Sequence, residues 1–179
     1  MSGFKDLMVD IETLGVSNNS VILSLAAVEF NKSTGETGKK FYKKISIESC
    51  LEAGLVIDAD TLQWWMEKPN EVRAELFKGS IYLQRVLELF NSFMAGKNYK
   101  VWANSPAFDL VLLKSAYKSC KMKEPWHFRD EMDVRTLDNL LPKVRKNTSF
   151  KGDKHNALDD CYHQIKYLSS IFRELLWIK

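Results

Sequence analysis

The sequence is short of cysteine. Its 179 residues include Cys50, Cys120 and Cys161, odd in number, far apart and without a C-x-x-C pair. Such a set makes neither a disulfide framework nor a zinc site, and the thiols are expected as buried apolar side chains. No apolar run approaches the roughly 20 residues that a membrane-spanning helix needs. The opening Met1-Ser2-Gly3-Phe4-Lys5-Asp6 has no basic region followed by an apolar one. A cytoplasmic protein with no membrane partner is the expectation. Repeats, low-complexity tracts and linkers are also missing, and a net charge of +3 is too small to imply a nucleic-acid partner by itself. What remains, 45% hydrophobic and 27% charged, is the composition of an ordinary globular protein. Residues 1–179 are expected to form one domain with a substantial core.

The pattern along the chain predicts an α/β fold with a mixed sheet. A strand holding Asp10 and Glu12 comes first, then an apolar run over residues 20–31, a turn at residues 31–36 and a strand-like stretch over residues 39–47, together an antiparallel meander. Asp60-Thr61-Leu62-Gln63 has capping-box spacing and predicts a helix through Trp64 and Trp65 that ends before Pro69. Further helices are predicted over residues 81–94, from Ser105-Pro106 through Tyr117, and from an Asn156 cap onward, with a short strand at residues 101–103.

Chemistry enters at Met8-Val9-Asp10-Ile11-Glu12-Thr13-Leu14-Gly15. Leu7, Val9 and Ile11 alternate with Met8, Asp10 and Glu12, which in a β-strand sends the two sets to opposite faces. Asp10 and Glu12 then share a face, about 6 to 7 Å apart. In a segment apolar enough to lie centrally they repel each other and resist losing water, so a cation between them is expected. With only oxygen donors on offer, a hard divalent ion such as Mg²⁺ or Mn²⁺ suits the pair. The same residues also fit a strand that stops at Val9 with both acids solvated in a turn, so D-x-E alone decides nothing.

Asn104-Ser105-Pro106-Ala107-Phe108-Asp109 puts a third carboxylate in the first turn of a helix that follows a strand. The helix dipole by itself would account for an acid there. Asp109 also lies four residues before Leu113 and seven before Ala116, on the helix edge that turns toward the sheet and Asp10. His155-Asn156-Ala157-Leu158-Asp159-Asp160 supplies the fourth acid. Asp159 aligns with His163, Lys166, Ser170 and Arg173 on a polar face, whereas Asp160 aligns with Ala157, Gln164 and Leu168 beside the apolar stripe, so Asp160 is the inward one. His155 precedes the helix on a loop where it can move and titrate near neutral pH; His127 and His163 are read as solvated. Four inward carboxylates without counter-ions would be strongly destabilised. Two divalent ions about 3.5 to 4 Å apart resolve the repulsion and clamp the attacking and leaving oxygens of a phosphoryl displacement. The histidine then serves as general base toward the attacking water.

Asp10-x-Glu12, Asn104-x-x-x-Phe108-Asp109 and His155-x-Ala157-x-x-Asp160, in that order, resemble the three motifs of the DEDDh 3'-5' exonucleases. That superfamily includes the proofreading subunit of bacterial replicative polymerase and ribonuclease T. The resemblance spans nearly the whole chain and implies a ribonuclease H-like fold, with a mixed five-stranded sheet flanked by helices. It implies that Asp10 bridges two Mg²⁺ or Mn²⁺ ions, that Glu12 and Asp160 complete one site, that Asp109 serves the other, and that His155 activates the water. The implied activity is hydrolysis at the 3' end of single-stranded DNA or RNA, releasing nucleoside 5'-monophosphates. The compact length resembles small stand-alone bacterial and phage members; the resemblance also admits a homodimer, although no stripe in the sequence is clearly left over for an interface.

Substrate contacts are expected from Thr13, Leu14 and Gly15, whose backbone would bind the terminal sugar while Leu14 wedges against a base. Trp64 and Trp65 lie about 100° apart on one helix, so they cannot face the same way. Either both are core, or one is core and the other a stacking platform; Trp65 is taken as the candidate platform, with Asn104 and Phe108 as further candidate substrate contacts, while which of the two tryptophans faces the substrate stays open. Lys143, Arg145, Lys146, Lys151 and Lys154, against the single acid Asp153, lead into His155 and would draw phosphates toward it. Asp130 and Asp133 lie in a poorly patterned segment, and Arg135-Thr136-Leu137 is read as structural. Two rival readings use the same residues: a binding module of this fold without catalysis, and a hydrolase of small phosphodiesters such as a dinucleotide.

Overall fold

The computed structural model describes residues 4–177, so the opening Met1-Ser2-Gly3 lies outside the described residues. Strands β1 (Asp6–Thr13), β2 (Ile22–Phe30) and β3 (Thr37–Lys44) form the antiparallel meander. On the other side of β1, β4 (Lys100–Ala103) pairs in parallel, and β5 (Glu131–Asp133) pairs in parallel with β4. The order β3-β2-β1-β4-β5 leaves β1 in the middle of a mixed five-stranded sheet, the ribonuclease H-like arrangement. Helices cover both faces, and β2 is accordingly buried at every position.

Among the described residues the helices are α1 (Ile47–Glu52), α2 (Ala59–Met66), α3 (Asn70–Leu76), α4 (Leu83–Met94), α5 (Asp109–Ser119), α6 (Val134–Leu140), α7 (Pro142–Asn147) and α8 (Ala157–Trp177). Leu7, Val9 and Ile11 pack with Val86 and Phe90 of α4 and Leu110 and Leu113 of α5. Met8 goes the other way and packs with Trp102 and with Cys161, Ile165 and Leu168 of α8. The period of two therefore carries Asp10 and Glu12 to the α8 face. Within the described residues no helix is long and apolar enough to cross a membrane.

Several local expectations shift. Helix α2 is capped by Asp58, two residues earlier than predicted, because its carboxylate accepts from both the backbone N–H (2.8 Å) and the hydroxyl (2.9 Å) of Thr61. The stretch expected to stay extended through residue 47 leaves the sheet at Lys44, and Ser46 caps α1. Helix α4 begins at Leu83, since Ile81 is held in a bridge to Ile45. Pro106 lies in a turn ahead of α5 rather than inside it, with the Ser105 carbonyl accepting from the N–H groups of Phe108 and Asp109. Asn156 does cap α8, its Oδ1 accepting from Leu158 N at 3.0 Å. Helices α1, α3, α6 and α7 and strand β5, each seven residues or fewer, had no sequence expectation.

Candidate active site

Three elements converge at the C-terminal end of β1. Asp10 and Glu12 come from the strand and Asp160 from the first turn of α8, and their carboxylate oxygens all lie within 4.8 Å of one another. Asp109, at the start of α5, lines the same cavity of about 260 Å³, together with His155, Asn104 and Phe108. Cys161, one residue after Asp160, is fully buried with its thiol toward the Met8 carbonyl. That packing seats the first turn of α8 directly on β1.

The electrostatics are those of unbalanced negative charge. Burial pushes the Asp10 carboxyl well above the usual carboxylate range, and the charges of Asp109, Glu12 and Asp160 push it further. Glu12 is raised by burial and then by Asp160 and Asp109. Asp109 is raised by burial too, with the backbone N–H of Ser105 and the charge of Arg135 among the influences pulling it back. Asp160, less enclosed, is pushed up to about 6 by burial. Three converging oxygen donors with this much unrelieved repulsion fit a hard divalent cation in both chemistry and charge.

His155 sits beside the acids in the left-handed region, at φ 66°. Its ring packs edge-on against Trp64 at 5.0 Å and Trp65 at 5.9 Å between centroids. Partial burial and the charges of Lys68 and Lys154 hold its pKa below the ordinary value, which keeps the imidazole neutral and able to accept a proton.

The substrate-contact expectations fare unevenly. Trp65 is only 1% exposed, and its indole N–H donates to the Thr13 carbonyl at 2.9 Å. It braces the end of β1 and presents no face for stacking. Trp64 is the exposed one at 39%, with the Lys68 ammonium 3.7 Å from its ring centroid. Leu14, expected as a wedge, is a core residue at 1% exposure, because its N–H and C=O are tied to Val21 and Asp58; the surface apolar residue of this loop is Val16. The Thr13 hydroxyl donates to the Gly15 carbonyl at 2.7 Å, while the Gly15 N–H has no protein acceptor among the described residues. Gly15 also has no room for a side chain, since a Cβ there would lie 2.4 Å from Ser20 Oγ and 3.1 Å from Asp58 Cβ. Gly15→Ala is expected to cost about 1–3 kcal/mol from overpacking, read by urea denaturation.

Sequence reasoning missed several cavity residues. His163, read as solvated, is half-buried, with its ring 4.9 Å from Phe150 and 5.3 Å from Tyr167. Arg135, read as structural, is exposed on the cavity wall beside Arg145. Gln164 lies one turn beyond Asp160 and donates to Asp10. Its place on the Asp160 stripe was the available signal.

The comparisons with known proteins agree with this geometry. An exodeoxyribonuclease of enterobacteria phage T4 is 21% identical over 202 residues, 94% of this chain and 89% of that one. The nuclease domain of 3'hExo, a DEDDh family member bound to rAMP, superimposes with a TM-score of 0.64 at 14% identity, covering 99% of this chain and 94% of that one. S. pombe Pop2p in its Mg²⁺- and Mn²⁺-bound form superimposes at 0.63 with 9% identity, covering 94% and 82%. The family model for the 3'-5' exoribonuclease Rv2179c-like domain matches residues 5–172, nearly the whole length that builds this acidic cavity, and the chain belongs to that family.

Proposed function

We propose that the protein removes nucleoside 5'-monophosphates one at a time from the 3' end of single-stranded nucleic acid, DNA or RNA. Two Mg²⁺ or Mn²⁺ ions would be held by Asp10, Glu12, Asp109 and Asp160, with His155 as general base. The observation that carries this reading is the convergence of three carboxylates within 4.8 Å in a cavity shared with Asp109 and His155. When bound, the ions would stabilise negative charge developing on the phosphate oxygens. His155 takes the proton of the attacking water as its oxygen bonds to phosphorus. The bond from phosphorus to the 3'-oxygen breaks, and that oxygen acquires a proton on the shortened strand.

The free Gly15 N–H is the donor offered to the terminal sugar. Trp64 and Val16 are the apolar surfaces for its base, and Asn104 and Phe108 close the far wall. Lys143, Lys146, Lys151 and Lys154 are all exposed and draw the strand toward His155. The 3'hExo and phage T4 relatives support both a ribose and a deoxyribose substrate as candidates.

Incubation of 5'-labelled single strands with protein and Mn²⁺ tests the proposal. A ladder shortening from the 3' end, run side by side on matched DNA and RNA, is the expected result. Retention without shortening would mark a binding module, and cleavage restricted to dinucleotides would mark a hydrolase of small phosphodiesters. The two tryptophans separate in a second measurement. Trp64→Ala is expected to raise KM for single strands by removing stacking worth about 1–3 kcal/mol per base, with little change in folding stability. Trp65→Ala is expected to lower stability by about 3–5 kcal/mol, read by thermal melting.

A further inference from the structure

Gln164 is buried, 6% exposed, on the inward edge of α8 one turn after Asp160, and it lines the acidic cavity. Its Nε2 donates to Asp10 Oδ1 at 2.7 Å. Its Oε1 is buried and has no hydrogen-bond partner among the described residues. A buried amide oxygen left unpaired costs free energy, so its retention at the most crowded point of negative charge calls for a physical reason.

The fixed donor sets the amide's orientation. Asp10 is flanked by three other acids, and its carboxylate can only accept, so the NH₂ end must face it and the carbonyl end must face away. A lysine or arginine here would also have satisfied Asp10. It would have done so by cancelling the charge that a divalent ion needs, as a tethered competitor. A neutral amide holds the carboxylate in one rotamer and leaves its charge intact.

We infer that Gln164 is a positioning residue of the ion site: its amide N–H holds the Asp10 carboxylate where it converges with Glu12 and Asp160, without cancelling the charge that a divalent cation needs. This rests on the ion-dependent reading proposed above, and concerns a residue outside the four acids and the histidine.

Calorimetric titration of the metal-free protein with Mn²⁺ tests it independently of turnover. Gln164→Leu fills the same space without polar atoms and is expected to weaken Mn²⁺ binding by about 10- to 100-fold, the usual effect of losing a group that orients a ligand. Unchanged affinity in this variant overturns the inference. Gln164→Lys covers the case in which the leucine variant does not fold. Its ammonium is expected to pair with Asp10, raise the metal-free melting temperature above wild type and abolish the rise caused by Mn²⁺. A lysine variant with the wild-type Mn²⁺ response overturns the inference as well. Wild-type protein that neither binds Mn²⁺ nor shortens 3' ends would instead defeat the reading on which it rests, so the two failures are distinguishable.

Discussion

Asp10→Asn is expected to abolish exonuclease activity and, in EDTA, to make the protein more stable than wild type. The two effects have one cause. Asp10 is the middle carboxylate, buried on the central strand and repelled by Asp109, Glu12 and Asp160. Without cations, asparagine removes a buried charge while keeping an oxygen for the Gln164 N–H and the packing of β1. Burial and the three neighbouring charges both oppose the ionised Asp10, so removing its charge is expected to raise the metal-free melting temperature at pH 7 above that of wild type. With Mn²⁺ the order should reverse, since wild type gains the binding free energy and the variant loses most of it.

The pH dependence follows with its sign. Asp10, Glu12, Asp109 and Asp160 all have folded-state pKa values above the unfolded carboxylate range of about 4. Each binds its proton more tightly when folded, so its contribution is fully present below about pH 4 and is lost as pH rises through the folded value. For Asp160 that loss centres on about 6, for Asp109 on about 7 and for Glu12 on about 8, while Asp10 adds to it in the same direction. Metal-free protein should therefore melt at a lower temperature at pH 8 than at pH 5.5, and saturating Mn²⁺ should remove that slope. A metal-free melting temperature independent of pH across this window would contradict the crowding of the four acids.

The elements legible in the sequence were those whose pattern is set by a buried face over many residues. The alternation of Leu7, Val9 and Ile11 with Met8, Asp10 and Glu12 fixed both the strand and the side on which the acids emerge. The α8 stripe through Cys161, Ile165 and Leu168 placed Asp160 inward in the same way. Helices α3, α6 and α7 were not legible, because six or seven residues complete fewer than two turns and show no periodicity. Missing them hid the cavity wall that α6 and α7 supply and with it the place of Arg135, whereas Arg145 was already legible as part of the basic run before His155. The tryptophan pair shows a different limit. Helical spacing says that Trp64 and Trp65 diverge, but which one is buried depends on the Thr13 carbonyl, 52 positions away, that receives the Trp65 indole. Leu14 misleads for a similar reason: it follows a metal-binding strand, yet its backbone is stitched to Val21 and Asp58, and that pairing turns its side chain into the core.

His155→Ala separates chemistry from ion binding, and its effect on turnover should be the second large one. The imidazole is not among the groups whose oxygens converge; its neighbours are the edges of Trp64 and Trp65. Removing it should leave Mn²⁺ affinity within about twofold by calorimetry while lowering kcat by the 10² to 10⁴-fold typical of losing a general base. Fold damage would lower kcat as well, and the backbone offers a way to exclude it. His155 adopts φ 66°, a conformation that costs a non-glycine residue about 1–2 kcal/mol. Glycine carries no such penalty, although its freer unfolded chain offsets part of the gain. His155→Gly should thus be at least as stable as His155→Ala and equally slow, so that stability and turnover move apart. A glycine variant that regained the wild-type rate would show that the strained loop, and not the imidazole, governs catalysis.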